Sequence, residues 1–128
     1  SVIDKDFISV SPDMPLGKLV NVISKSHSSF IPVLNSGGEL LGEVDITKIR
    51  HIMFRSELYT KFCVMQIMTP VPAKVGINDR MEEVMKKFEI KNTNYLPVVD
   101  INNRLMGYIS RSRVFSLYRK MVEDLSAE

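Results

Sequence analysis

The chain has one cysteine, Cys63, in 128 residues. No internal disulfide can form, no CxxC or CxxH pair offers metal or redox chemistry, and a buried thiol in a reducing compartment is the expectation. The two histidines, His27 and His51, lie far apart and lack companions at metal-ligand spacing. They also lack the nucleophile and orienting partner that catalysis would require, so the chain does not read as an enzyme. No run approaches the roughly 18 apolar residues of a membrane span, and the start SVIDKDF has neither a basic nor an apolar signal region. Six glycines are present, none in GxGxxG or GxxxxGK, which leaves out the phosphate-cradling loops. An excess of charge of one sign is scarce as well. The net charge is +2, the first 64 residues are neutral and the last 64 carry the excess. Such dispersed charge does not serve nucleic acid, although it leaves room for one small anionic ligand. Lys86, Lys87 and Lys91 read as a solvated face. The missing initiator methionine makes a piece of a longer chain the expectation.

What is present is a repeat. Hydrophobic residues make up 45% of the chain, enough for one compact domain or two halves sharing a core. FIPVLNSGGELLGEVDITKI at 30–49 and YLPVVDINNRLMGYISRSRV at 95–114 follow one plan. A shift of 65 residues aligns 7–54 with 72–119 without a gap, placing Val10 on Val75, Pro32 on Pro97 and Gly42 on Gly107. Apolar spacing predicts helices over 12–25 and 78–90, capped by Asp13 and Asn78. Branched and aromatic runs predict hairpins joined by NSGGE and NN. A short strand at 8–10 or 73–75 precedes each first helix, and a helix over 46–59 or 111–125 follows each hairpin. The expected fold class is α/β (α+β): two lobes related by a pseudo-two-fold axis, each a small three-stranded sheet with helices. The boundaries fall at 1–58 for the first repeat, 59–71 for a linker and 72–128 for the second.

The order of these elements resembles a tandem pair of CBS domains. The resemblance is carried by Val64-Met65-Gln66-Ile67-Met68-Thr69-Pro70, Leu96-Pro97-Val98-Val99-Asp100 and Leu105-Met106-Gly107-Tyr108-Ile109-Ser110. In the first copy it is carried by Ile31-Pro32-Val33-Leu34 and Leu40-Leu41-Gly42-Glu43-Val44. It implies a regulatory module that binds ATP, ADP or AMP in clefts between the lobes and forms disc-like homodimers. Ile49 to Phe54, Glu57 to Tyr59 and Tyr118 to Met121 are similar to the C-terminal pair of prokaryotic chloride channels and chloride/proton antiporters. That implies an N-terminal transmembrane transport domain in the same chain and a place at the cytoplasmic face of the membrane. A pair belonging to another transporter or to a metabolic enzyme is the alternative host.

The resemblance places the ligand at Val75, Thr93, Asn94, Tyr95, Leu96, Pro97, Ser110 and Arg113, and in the first copy at Val10, Ser28 to Pro32, Asp45 and Lys48. Arg111, two positions before Arg113 at a helix start, joins them as a second phosphate donor, with surface arginines or an interlobe ion pair as the alternative reading of both. The family's hydroxyl-then-Asp pattern is broken by Lys48 and Arg113. A lysine or arginine has donors only, so neither copy carries the expected acceptor for a ribose diol. A structural dimerisation module without a ligand therefore stands beside the sensing module. In the first copy a local Asp45–Lys48 pair is expected. His51-Ile52-Met53-Phe54 and Leu117-Tyr118 are the expected dimer surface, drawing on a chain with eight methionines.

Overall fold

The structure, a computed structural model, describes residues 2–127. The chain forms two compact units, one from Ile8 to Val71 and one from the residues up to Phe7 together with Pro72 onward. This division differs from the sequence division, because residues before Phe7 fold with the second repeat and 59–71 fold with the first.

In the unit from Ile8 to Val71, helix α1 (Leu16–Lys25) is followed by strands β1 (Phe30–Leu34) and β2 (Leu40–Asp45). Helix α2 (Ile46–Met53), a short 3-10 turn (Ser56–Leu58) and helix α3 (Val64–Ile67) complete it. α1 buries Leu16, Leu19 and Ile23, one stripe at helical spacing, against Ile31, Val33 and Val44 of the hairpin. It starts later than the sequence predicts, and Asp13 does not cap it. The linker does so instead, since the N–H groups of Leu16 and Gly17 donate to the carbonyls of Phe62 (2.9 Å) and Tyr59 (3.2 Å). Backbone carbonyls thus satisfy donors that a helix start otherwise leaves open. The second long helix ends at Met53, short of the predicted Tyr59.

The other unit holds β3 (Val75–Gly76), α4 (Met81–Lys91), β4 (Tyr95–Val99), β5 (Leu105–Ser110) and α5 (Arg111–Ser126). Its three strands run in the order β3-β4-β5. Phe88 on α4 is fully buried among Val84, Leu96, Val98 and Ile109, a burial worth about 2–3 kcal/mol. Asn78 does not cap α4; the helix begins after Arg80 without a side-chain cap. Asp79 instead serves the loop, accepting from the Gly76 N–H at 3.0 Å and from Lys87 Nζ at 2.7 Å. The hydrogen bond from Lys87 holds the Asp79 carboxyl below its usual pKa.

Only the second repeat has the predicted three strands. In the first, the expected strand at 8–10 is reduced to a bridge between Val10 and Val33 beside the two-stranded sheet. The shift explains this. Ile77 continues β3 by donating to Val99 O at 2.9 Å, and its counterpart is Pro12, which has no N–H to give. The hairpins, by contrast, turn by one device. Asn35 Oδ1 accepts from the N–H groups of Gly37 and Glu39, and Asp100 Oδ1 from those of Asn102 and Arg104. Left-handed residues, Gly38 and Asn103, hold matching places in the two turns.

The segment leading into each repeat pairs with the hairpin of the other. Asp4 and Tyr108 exchange backbone hydrogen bonds of 2.7 and 2.9 Å, and Thr69 and Glu43 exchange bonds of 2.8 and 2.9 Å. Asp4 and Thr69 are themselves 65 residues apart. This exchange is why contacts divide the chain differently from the repeat.

Candidate functional site

β5 ends at Ser110, whose hydroxyl caps α5 by accepting the Arg113 N–H at 3.3 Å. Tyr95 lies opposite Ser110 in the ladder and is 64% exposed. Tyr95, Ser110 and Arg113 line a cleft of ≈ 180 Å³ whose other walls are Val2, Asp4 and Tyr108. A second, mostly apolar cavity of ≈ 170 Å³ is lined by Val75, Met81, Val84 and Val98 among others, and Val2 lines both.

The remaining expected site residues hold the walls together. The Thr93 hydroxyl donates to the Tyr95 carbonyl at 3.1 Å, and the Asn94 carbonyl accepts the Arg111 N–H at 2.8 Å, tying β4 to the start of α5. Leu96 and Pro97 are buried in the sheet. Arg111 is engaged elsewhere, with Nη1 3.4 Å from Asn92 Oδ1 and its guanidinium 5.5 Å from the Phe115 ring centroid. Arg113 is not so engaged: among the described residues its guanidinium has no hydrogen-bond or ion-pair partner. An unpartnered guanidinium beside the N-terminus of a 16-residue helix presents donors and positive charge of the kind an anion with several oxygens requires.

Val2, Asp4 and Tyr108 escaped the sequence reading. Carrying the 65-residue shift back past residue 7 would have set Asp4 on Thr69, within the stretch that leads into the second repeat. Among the described residues, no group of three or more His, Cys, Asp or Glu is placed to hold a metal ion. Cys63 is half-buried, not buried. Met53 belongs to the core rather than to a dimer surface, whereas its neighbour Phe54 is 82% exposed.

The counterpart positions in the first repeat are Phe30, Glu43, Asp45, Lys48, Ile67 and Thr69. The expected Asp45–Lys48 pair is absent from the ion pairs of the described residues. Asp45 caps α2 instead, its Oδ1 accepting from the Thr47 N–H at 3.0 Å and the Thr47 hydroxyl at 2.7 Å. Glu43 lies two positions before Asp45 on β2, hence on the same face. Burial first, then repulsion by Asp45, pushes its carboxyl from 4.5 up to about 7, against a smaller opposing pull from Lys48. Glu43 therefore binds its proton more tightly in the folded state than in the unfolded chain, and its contribution to stability falls as pH rises from about 4.5 to 7. Glu43→Gln is expected to flatten this slope and to raise stability at pH 8 by about 1–2 kcal/mol after allowance for solvent screening. Urea unfolding at pH 5 and pH 8 checks it; equal slopes in variant and wild type would contradict it.

The family model of the CBS domain matches residues 1–55 and 64–120. Inosine-5'-monophosphate dehydrogenase of Methanocaldococcus jannaschii is 31% identical over 111 residues, which are 85% of this chain and 21% of that protein. The chain spans about a fifth of the length of the curated relatives it matches. The structure of Staphylococcus aureus OpuCA superposes with a TM-score of 0.73 at 23% identity, covering 94% of this chain and 97% of that one. The cytosolic domain of the Mg2+ channel MgtE in complex with ATP gives 0.72 at 21% identity, covering 91% and 46%. CBSX2 in complex with AMP gives 0.70 at 19%, covering 94% and 93%. These structural likenesses show the fold.

Proposed function

The chain belongs to the CBS domain family, and from that premise we propose that it is a non-enzymatic regulatory and dimerisation module whose second repeat senses an adenosine nucleotide. The observation that carries this reading is the cleft where Arg113, the start of α5 and the exposed Tyr95 ring meet. The phosphate goes to Arg113 and the α5 N-terminus, and the base stacks near Tyr95 or enters the apolar cavity that shares Val2. The ATP and AMP held by the MgtE cytosolic domain and CBSX2 support the ligand class.

The host proposed is a membrane transport protein of the chloride channel or antiporter class, with this module on the cytoplasmic side. Its support is the resemblance of Ile49 to Phe54 and Tyr118 to Met121. Among the described residues no helix is long and apolar enough to cross a membrane, so the spanning part would lie in a separate domain. A metabolic enzyme host is the second reading, favoured by the 31% identity to a dehydrogenase. Self-association is assigned to apolar residues left exposed at Phe54 and on α5 at Met121, Val122 and Leu125. The sequence boundaries at 58 and 71 remain our proposed repeat units.

Calorimetric titration with ATP, ADP, AMP and adenosine at low and physiological salt tests the function. At least one nucleotide is expected to bind, about tenfold or more tightly than adenosine, with a preference that shrinks as salt rises. Flat traces from folded, dimeric protein would leave the ligand-free dimerisation module as the function.

A further inference from the structure

We propose that Asp4, from the segment leading into the first repeat, supplies the hydrogen-bond acceptor for the ribose hydroxyls that both repeats lack, so that a nucleoside monophosphate is held between Asp4 and Arg113. The proposal rests on the nucleotide reading above and adds a residue that the repeat pattern does not predict.

Position comes first. Asp4 is fixed to β5, its N–H donating to Tyr108 O and its carbonyl accepting the Tyr108 N–H. Asp4 therefore stands beside the edge strand, and it lines the same cleft as Tyr95, Ser110 and Arg113. Oδ1 accepts the Asp6 N–H at 2.9 Å, which orients the group and uses one of about four acceptor sites on an ionised carboxylate.

Charge comes second. An aspartate and an arginine line one small cleft, yet the ion pairs of the described residues are Arg55–Glu57 and Lys87–Asp79. Opposite charges sharing a cleft without closing on each other suit a ligand with hydroxyl donors at one end and an anion at the other. A ribose phosphate has that polarity, and Tyr95 and Tyr108 add aromatic surface for the base. The first repeat lacks this arrangement, with Thr69 in place of Asp4, Glu43 in place of Tyr108 and Lys48 in place of Arg113.

The test is titration of the whole 128-residue chain, as wild type, Asp4→Asn, Asp4→Ala and Asp6→Asn, with AMP and with 2',3'-dideoxy-AMP. Wild type is expected to prefer AMP over the dideoxy analogue by about tenfold or more, since an acceptor built for a hydroxyl is left unpaired by its loss. Asp4→Ala loses this preference and binds AMP about tenfold more weakly, Asp4→Asn, which keeps one neutral acceptor oxygen, falls between it and wild type, and Asp6→Asn, which removes the same charge from the same segment, stays within about twofold. Thermal unfolding of each variant confirms that the fold is retained. If wild type binds AMP and the Asp4 variants keep both affinity and preference, or if wild type does not distinguish the analogue, the Asp4 assignment falls and the nucleotide reading stands. If wild type binds neither compound, the Asp4 assignment falls, and the nucleotide reading falls with it only if ATP and ADP also give flat traces.

Discussion

Gly107→Ala is expected to destabilise the unit containing β5 by about 3 kcal/mol, enough to lower its melting temperature by many degrees. Gly107 lies at φ 150, where side chains are rarely tolerated, and the lead-in segment passes directly over it. An added Cβ would meet the Asp4 carbonyl oxygen and come within 2.6 Å of Ile3 Cγ2. The obstacle is largely backbone, and that backbone is held by its own hydrogen bonds to Tyr108, so relief requires breaking the Asp4–Tyr108 bridge. Gly42 has the same task in the first repeat, where a Cβ would lie 2.7 Å from the Thr69 carbonyl oxygen. Its backbone has no unusual φ, so a smaller loss, about 1–3 kcal/mol, is expected for Gly42→Ala. Gly38 separates the two causes. It has φ 83 but nothing within 4 Å of an added Cβ, so Gly38→Ala carries the conformational term alone, about 1 kcal/mol. Urea unfolding of the three variants checks the ranking. Equal losses at Gly38 and Gly107 would mean that the close approach costs nothing and that conformation alone selects glycine.

The glycines show how far the sequence could be read. The recurrence of Gly42 at Gly107 already marked a shared position on the second hairpin strand. It did not identify the approaching group, because beyond the apolar pairs Val2–Ile67 and Ile3–Met68 the two lead-in segments share a backbone role and little side-chain character. Strand pairing uses N–H and C=O groups that every residue except proline carries, so a bridge such as Asp4–Tyr108 leaves little trace in residue type. The periodic elements were legible for the opposite reason. Leu16, Leu19 and Ile23, or Val84 and Phe88, are selected by burial, and burial acts on side chains. Helix starts were misread where another part of the chain supplied the missing acceptors, as Tyr59 and Phe62 do for α1. The site followed the same division. Of the cleft lining, Tyr95, Ser110 and Arg113 were named through the family resemblance, and Asp4 was not, because it enters from the exchanged segment.

Arg113→Glu is expected to weaken AMP binding by about a hundredfold or more and to abolish the preference for AMP over adenosine. Removal of a guanidinium from a phosphate forfeits charge-assisted hydrogen bonds of about 1.5–3 kcal/mol each, and the new carboxylate adds repulsion. The substitution should spare the fold. Arg113 is exposed, its interaction with Ser110 is made by its own backbone N–H, and a glutamate in the first turn of a helix interacts favourably with the helix dipole. A loss of affinity accompanied by an unchanged melting temperature therefore reports on the ligand. Lys48→Glu is the matched control, at the same offset from its strand and in the first turn of α2. There Glu43 and Asp45 share one face of β2 beside Lys48, and acidic groups at that place oppose a phosphate. AMP affinity in Lys48→Glu is expected to stay within about threefold of wild type, as for an exposed charge acting from outside the site. Parallel losses in both variants would move the phosphate away from the α5 N-terminus, and an Arg113→Glu variant that still prefers AMP over adenosine would do so outright. Divergence of the two would mean that duplication kept one fold twice and one anion site once, with charges rather than backbone geometry separating the repeats.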